Sequence, residues 1–210
     1  MIRILIADDH RIVREGLKQI LAETPDMIVV DEASNGQEVL GKVWENDYDV
    51  VLLDISMPGR SGLDILKQLK NERPKLAVLV LSMYSEEQYA MRALRAGASG
   101  YMTKESAPDE LIEAIRKVST GRKYISPTVA EKLAVSLEAN DERPAHENLS
   151  DREYQVMCMI ASGKTIKTIA DELSLSVKTV STYRTRILEK MRMKNNAELT
   201  HYSIQNRLVE

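Results

Sequence analysis

The chain has 210 residues, with 29 Lys and Arg against 32 Asp and Glu, a formal net charge of −3. At 43% hydrophobic and 29% charged it has the composition of a folded globular protein of one or two domains, which excludes disorder as the main state. A single cysteine excludes a disulfide framework and a cysteine-rich metal site, and no stretch reaches the about 18 apolar residues that a membrane span requires. The opening MIRILIADDH carries too short an apolar run and too many acids for a signal peptide, so the expected location is cytoplasmic.

The charge is unevenly spread. Residues 1–124 hold 17 basic and 20 acidic side chains, residues 125–147 hold 2 and 5, and residues 148–210 hold 10 and 7. Between Lys164 and Lys194 the balance is 8 basic to 3 acidic. A near-neutral total therefore conceals an acidic front and a basic back, and the basic segment suggests a nucleic-acid-facing surface.

In the front segment, apolar runs at Ile2–Ala7, Met27–Val30, Val50–Leu53, Leu76–Leu81 and Gly100–Met102 lack polar alternation. Buried parallel strands look like this. Helical spacing separates them: Val13, Leu17, Ile20 and Leu21; Val39, Leu40 and Val43; Leu63, Leu66 and Leu69; Ala90, Ala93 and Leu94; Leu111, Ile112, Ile115 and Val118. Five βα units predict an α/β domain, a doubly wound five-stranded parallel sheet with helices on both faces. Sites in such sheets lie beyond the carboxyl ends of the strands.

At those ends stand Asp8-Asp9, Asp54, Ser82 and Lys104. Any one of them is ordinary where a buried strand surfaces. Together, three converging carboxylates repel one another and favour a hard cation that keeps its water, as Mg²⁺ does. A carboxylate beside Mg²⁺ and a lysine can act as a nucleophile toward phosphorus, and a serine hydroxyl can hydrogen-bond the phosphoryl oxygens.

These residues, with the segment Asp54-Ile55-Ser56-Met57-Pro58-Gly59, Gly62, Tyr101 and AGASGYMTK over Ala96–Lys104, closely resemble a response-regulator receiver domain of flavodoxin-like fold. The resemblance implies that Asp54 accepts phosphate from a sensor histidine kinase. It implies Mg²⁺ held by Asp8, Asp9, Asp54 and the Ser56 backbone carbonyl, with Lys104 paired to the phosphate. Ser82 and Tyr101 would be switch residues; the plainer readings are a helix-capping serine and an edge-strand aromatic. Two positions depart from the family. Glu105 follows Lys104 where many receivers have proline, so a cis bond is not expected there. Met83 follows Ser82 where many have a small residue, which implies restricted water access and slow self-dephosphorylation.

After residue 124, Ser126-Pro127 opens a predicted helix to about Leu137, with Ala130, Leu133, Ala134 and Leu137 on one face. Asn140–His146 is polar and aperiodic and reads as a linker, with His146 solvated.

The remaining segment reads as all-α. Ser150 with Glu153 forms a capping box opening a helix to Ala161, closed by Ser162-Gly163. Cys158 among methionines reads as core. Thr165–Leu173 and Val177–Met191 follow, joined by Ser174-Leu175-Ser176, and a last helix spans Asn196–Gln205. Two short helices across a three-residue turn, the second one basic, are a helix-turn-helix signature. A solvated basic helix in a small bundle is the competing reading.

Ser150–Met191 resembles the helix-turn-helix of the LuxR/FixJ/NarL regulators through Glu153, Gly163, Ile169-Ala170, Leu173, Lys178-Thr179-Val180, Leu188 and Lys190-Met191. The segment KTVSTYRTRILEKM is similar to the GacA/UvrY subgroup. By that match Lys178, Thr179, Tyr183 and Arg184 would touch phosphates of double-stranded promoter DNA, while Ser181, Thr182 and Thr185 approach bases. The organisation expected is a receiver over 1–124, a linker over 125–147 and a four-helix DNA-binding domain over 148–210. Its partners would be the kinase, promoter DNA, a second copy of the active chain and RNA polymerase. Leu199, Tyr202 and Ile204 of the last helix would serve the dimer or the core. An Asp-based phosphatase is the enzymatic alternative. Its general acid would stand at position 56, which here is Ser56. A regulator working through protein contacts alone would not need the complete acidic site.

Overall fold

The structure, a computed structural model, describes residues 1–127, 129–131 and 144–209. It divides into two compact units, Met1–Glu131 and Lys132–Glu210.

In the first unit the strands are β1 (Ile2–Ala7), β2 (Met27–Ala33), β3 (Val50–Asp54), β4 (Ala77–Ser82) and β5 (Gly100–Thr103). They form one parallel sheet in the order β2-β1-β3-β4-β5. The helices are α1 (Arg11–Ala22), α2 (Gly36–Glu45), α3 (Gly62–Glu72), α4 (Glu86–Arg95) and α5 (Pro108–Ser119). All residues of β3 and β4 are buried, because both faces of the inner sheet are covered.

Ile4, Ile6, Leu52, Leu79 and Leu81 point to one face and pack with Leu21 of α1 and Leu111, Ile115 and Val118 of α5. The alternate residues Leu5, Val51, Leu53, Val78 and Val80 are equally buried. Period-two alternation thus feeds two cores from one set of strands.

β2 runs three residues further than the apolar pattern indicates. Asp31 and Glu32 are tolerated because β2 is an edge strand and both find cations. Asp31 takes Lys42 at 2.8 Å, and Glu32 takes Arg14 at 3.0 Å and Lys18 at 2.7 Å. Beside it the β1–β2 register shifts between Ile4 and Leu5.

The second unit opens with a 3-10 turn over Ala145–Asn148 and continues as α6 (Asp151–Ala161), α7 (Ile166–Glu172), α8 (Val177–Met191) and α9 (Asn196–Gln205). α6 packs against α8 and α9, and α7 against α8. Val156, Ile169, Val180, Ile187 and Leu199 are fully buried, and Cys158 is buried with them. The capping box at Ser150 is complete: its hydroxyl accepts from Glu153 N at 3.3 Å, and its own N–H donates to Glu153 Oε2 at 2.8 Å.

His146 corrects the solvated-linker reading. Its Nδ1 lies 2.9 Å from Tyr202 Oη, with ring centroids 5.9 Å from Tyr202 and 6.0 Å from Tyr154. The residue belongs to the helical unit. Tyr202 is thereby engaged within its own unit and Leu199 is buried, so of Leu199, Tyr202 and Ile204 only Ile204 is exposed. Of the predicted Ser126–Leu137 helix, Pro127, Val129, Ala130 and Glu131 are helical; Leu133, Ala134, Leu137 and linker positions 140–143 lie outside the described residues. Among the described residues no peptide bond is cis and no helix is long and apolar enough to cross a membrane.

Candidate functional site

The crevice forms where the strand order reverses, between β1 and β3, the switch point at which open α/β sheets hold their ligands. Asp8 follows β1 directly, Asp54 ends β3, Ser82 ends β4 and Lys104 follows β5, so four parallel strands deliver four polar groups to one edge. Asp8 is 2% exposed and Asp54 1%. Burying two carboxylates side by side is costly without a cation. Lys104 supplies it, with Nζ 2.6 Å from Asp8 Oδ2 and 2.7 Å from Asp54 Oδ2.

The backbone fixes the remaining oxygens. Asp54 Oδ1 accepts Ser56 N–H at 2.7 Å, and Asp8 Oδ1 accepts His10 N–H at 2.8 Å. Lys104 N–H donates to the Ser82 carbonyl at 2.8 Å, which ties the loop after β5 to β4. Burial pushes the Asp54 carboxyl above the usual carboxylate range, and the Asp8 charge adds to that; Lys104 and the Ser56 N–H pull the other way without winning. For Lys104 burial disfavours the charge, yet Asp54 and Asp8 outweigh it and hold the ammonium above its ordinary value.

The donor set suits a divalent cation. Asp8, Asp9, His10 and Asp54 each present a ligand atom, all within 4.8 Å of one another. Asp9 Oδ1 is buried and takes no hydrogen bond, with the His10 ring nitrogen 2.9 Å away, so the oxygen is open to a metal ion. The backbone of Ser56 reaches the same pocket through its N–H bond to Asp54.

Ser82 and Tyr101 are both buried, and one residue braces the pair. Tyr84 N–H donates to Ser82 Oγ at 3.1 Å, and Tyr101 Oη donates to the Tyr84 carbonyl at 2.8 Å. Tyr84 stacks on Tyr89 with ring centroids 4.7 Å apart. Tyr101 lies on the edge strand β5 yet is buried, and burial raises its phenol well above the ordinary value. Met83 between them is 65% exposed.

Besides His10 of the donor set, two residues of the site escape sequence reading. Arg14 Nη1 donates to the Asp8 carbonyl at 2.7 Å while its Nε holds Glu32, fixing the turn after β1 from α1. Tyr84 is the other. The signal for each was spacing alone: Arg14 lies one helical turn into α1, facing Asp8, and Tyr84 two residues past Ser82.

The second candidate site is the outer face of α8. Ser176 caps the helix by accepting Thr179 N–H at 3.0 Å. The turn before it is held by Leu175 N–H on the Ala170 carbonyl at 2.8 Å, with Ser174 in the left-handed region at φ 53°. Lys178, Ser181, Thr182, Thr185 and Arg186 are exposed, and Thr179, Tyr183 and Arg184 half-buried, while Val180, Ile187, Leu188 and Met191 face inward. The Thr182 hydroxyl donates to the Lys178 carbonyl at 2.9 Å and that of Thr185 to the Ser181 carbonyl at 3.2 Å. Both side chains stay exposed, and a threonine oxygen and methyl are groups that can meet base edges. Arg184 Nε is anchored on Asn196 Oδ1 at 2.6 Å, which orients its guanidinium at the border of this face.

Residues 4–116 match the response regulator receiver domain family, and residues 147–203 match the bacterial regulatory proteins of the luxR family. The response regulator GacA of Pseudomonas viridiflava is 40% identical over 211 residues, spanning 100% of this chain and 99% of that protein. The response regulator UvrY of Escherichia coli K12 is 37% identical over 209 residues, spanning 99% of this chain and 96% of that protein. Among solved structures, RcsB of Salmonella enterica serovar Typhimurium, bound to promoter rprA in the presence of phosphomimetic BeF3−, is similar with a TM-score of 0.65 at 26% identity. That similarity spans 96% of this chain and 98% of RcsB.

Proposed function

The chain belongs to the response regulators that join a receiver domain to a luxR-type DNA-binding domain, and from that premise we propose that it is a phosphorylation-dependent transcriptional regulator with Asp54 as phosphoryl acceptor. The observation that carries this is the buried Asp54 bridged by Lys104 to Asp8 at the switch point of the sheet. The receiver spans 1–124, the linker 125–147 and the DNA-binding domain 148–210.

An Asp54 oxygen attacks the phosphorus of a kinase phosphohistidine. An O–P bond forms, the N–P bond breaks, and the leaving imidazole keeps the electron pair and takes a proton from solvent. Lys104 remains as counter-charge to the phosphoryl oxygens. Asp8, Asp9, Asp54 and the Ser56 carbonyl would hold Mg²⁺, which supplies further neutralisation of the transferring group. Ser56 stands where a turnover phosphatase needs a carboxylic acid, so the chain acts as a stoichiometric acceptor and not as an enzyme. The phosphoryl group adds negative charge at the crevice. Ser82 Oγ then exchanges the Tyr84 N–H for the phosphate, and Tyr101, held on the same Tyr84, follows. This biases a two-state surface around α4 and β5.

On DNA, Lys178, Thr179, Tyr183 and Arg184 contact phosphates, and Ser181, Thr182 and Thr185 approach bases in the major groove. Two copies bind half-sites about one helical turn apart. RNA polymerase is the downstream partner, and the compartment is the cytoplasm. The test is phosphotransfer from a labelled kinase: wild type takes up label with Mg²⁺ present, and Asp54→Asn takes up none. Equal labelling of the variant overturns the assignment.

A further inference from the structure

The side chain next to the acidic pair is an imidazole, and the proposed function does not use it. His10 Nδ1 lies 2.9 Å from Asp9 Oδ1 and 3.3 Å from Asp8 Oδ1. The contact with Asp9 is close enough for an ion pair but lacks hydrogen-bond geometry, and Asp9 Oδ1, buried, takes no hydrogen bond from any other group. Adjacent ligands on an octahedral ion at about 2.1 Å are separated by about 3.0 Å, close to the 2.9 and 3.3 Å from the ring nitrogen to the two carboxylate oxygens. The His10 backbone N–H on Asp8 Oδ1 at 2.8 Å holds the residue in place. Its side chain is 65% exposed at the mouth of the crevice, so the ring reaches an incoming ion without any change in packing.

We propose that His10 is a specificity-determining residue of the metal site: it adds a nitrogen donor to an otherwise all-oxygen set and turns the crevice toward first-row transition ions. The inference rests on the reading of the crevice as a divalent-cation site. Mg²⁺ prefers oxygen ligands and retains its water, whereas imidazole suits ions such as Ni²⁺, Co²⁺ and Zn²⁺. With Asp8 and Asp9, His10 offers such an ion two carboxylates and one nitrogen from three consecutive residues. Lys104 stays paired to Asp8 Oδ2 and Asp54 Oδ2, on oxygens other than the two that face the ring. Only the mouth of the site therefore needs to be rebuilt around the ion.

The test is calorimetric titration of the full chain with MgCl2 and, separately, with NiCl2, for wild type and His10→Ala. The variant retains His146 and His201 as an internal background for adventitious nickel binding. Wild type is expected to bind Ni²⁺ at least tenfold more tightly than the variant does, the scale of effects on metal affinity from losing a supporting group. The Mg²⁺ affinities of the two proteins should agree within about threefold, because oxygen donors dominate that ion. Unchanged Ni²⁺ affinity in His10→Ala, with Mg²⁺ still bound, overturns the role of His10 and leaves the divalent-cation site standing. An equal loss for both ions also overturns it, showing a general structural role. Failure of wild type to bind Mg²⁺ at all overturns the cation site itself, and the inference with it.

Discussion

Gly62 opens α3 and stands against the segment that follows Asp54. A Cβ added there would lie 2.3 Å from Ile55 Cα and 2.9 Å from both the carbonyl carbon and oxygen of Ile55. These are backbone atoms, so no rotamer change relieves the clash. Gly62→Ala has to push the start of α3 away from residues 55 and 56 by most of an ångström. It also strains the Gly62 N–H bond to the Ile55 carbonyl, already 3.3 Å long. Overpacking a tight site costs about 1–3 kcal/mol, and an unyielding backbone neighbour places this variant in the upper part of that range. Alanine's better helix propensity returns less than about 1 kcal/mol, because the position is the first of the helix. The expected net loss is about 1–3 kcal/mol in the unfolding transition of the receiver, measured by urea titration with an unchanged m-value. The damage is also local. Ser56 N–H is one of the two fixed donors to Asp54, so displaced residues 55 and 56 should slow phosphoryl transfer in molecules that remain folded. A variant as stable as wild type, or more so, would refute the close approach of α3 to the loop after Asp54 and the reasoning built on it.

Glu153 gives a pH dependence. Burial alone would raise its carboxyl, but Lys190 at 2.6 Å and the Ser150 N–H pull harder and hold it below its usual value. A carboxylate lowered by folding stabilises above its unfolded pKa, and that contribution is lost as pH falls through the folded value. Glu153→Gln should therefore cost the C-terminal domain about 1–2 kcal/mol near pH 7, with the gap to wild type closing in acid; a gap independent of pH contradicts the assignment. Lys178→Ala should weaken binding to specific and random duplexes alike, and should lower the slope of log affinity against log salt by about one. An unchanged slope removes Lys178 from the phosphate contacts. Met83→Ala should shorten the half-life of the phosphorylated protein if the methionine narrows water access to the acyl phosphate. An equal or longer half-life dismisses that role.

The sheet was readable because its inner strands are buried on both faces, and the runs of Val, Ile and Leu at β1, β3 and β4 leave little ambiguity. The crevice followed from what stands after each run. The edge strand was less readable. Asp31 and Glu32 look like a strand's end until Lys42, Arg14 and Lys18 are seen to neutralise them from α1 and α2. In the helical unit the capping box marked α6, and the left-handed Ser174 allows the short turn into α8. His146 was misread because a histidine in a polar stretch carries no sign of the two tyrosines that fold against it from α6 and α9. Arg14 and Tyr84 were missed for a related reason. Each works through a backbone carbonyl, Arg14 by donating to that of Asp8 and Tyr84 by offering its own to Tyr101, and no residue pattern announces a backbone partner.

The claim that ties the two domains together is that phosphate on Asp54 controls DNA binding by the face of α8. It is tested most directly by measuring promoter affinity for wild type and Asp54→Asn, each with and without a small-molecule phosphodonor and Mg²⁺, at fixed salt. The account predicts that the donor tightens binding by wild type and leaves Asp54→Asn unaffected. A variant that responds to the donor as wild type does, or a wild type whose affinity ignores phosphorylation, would contradict it.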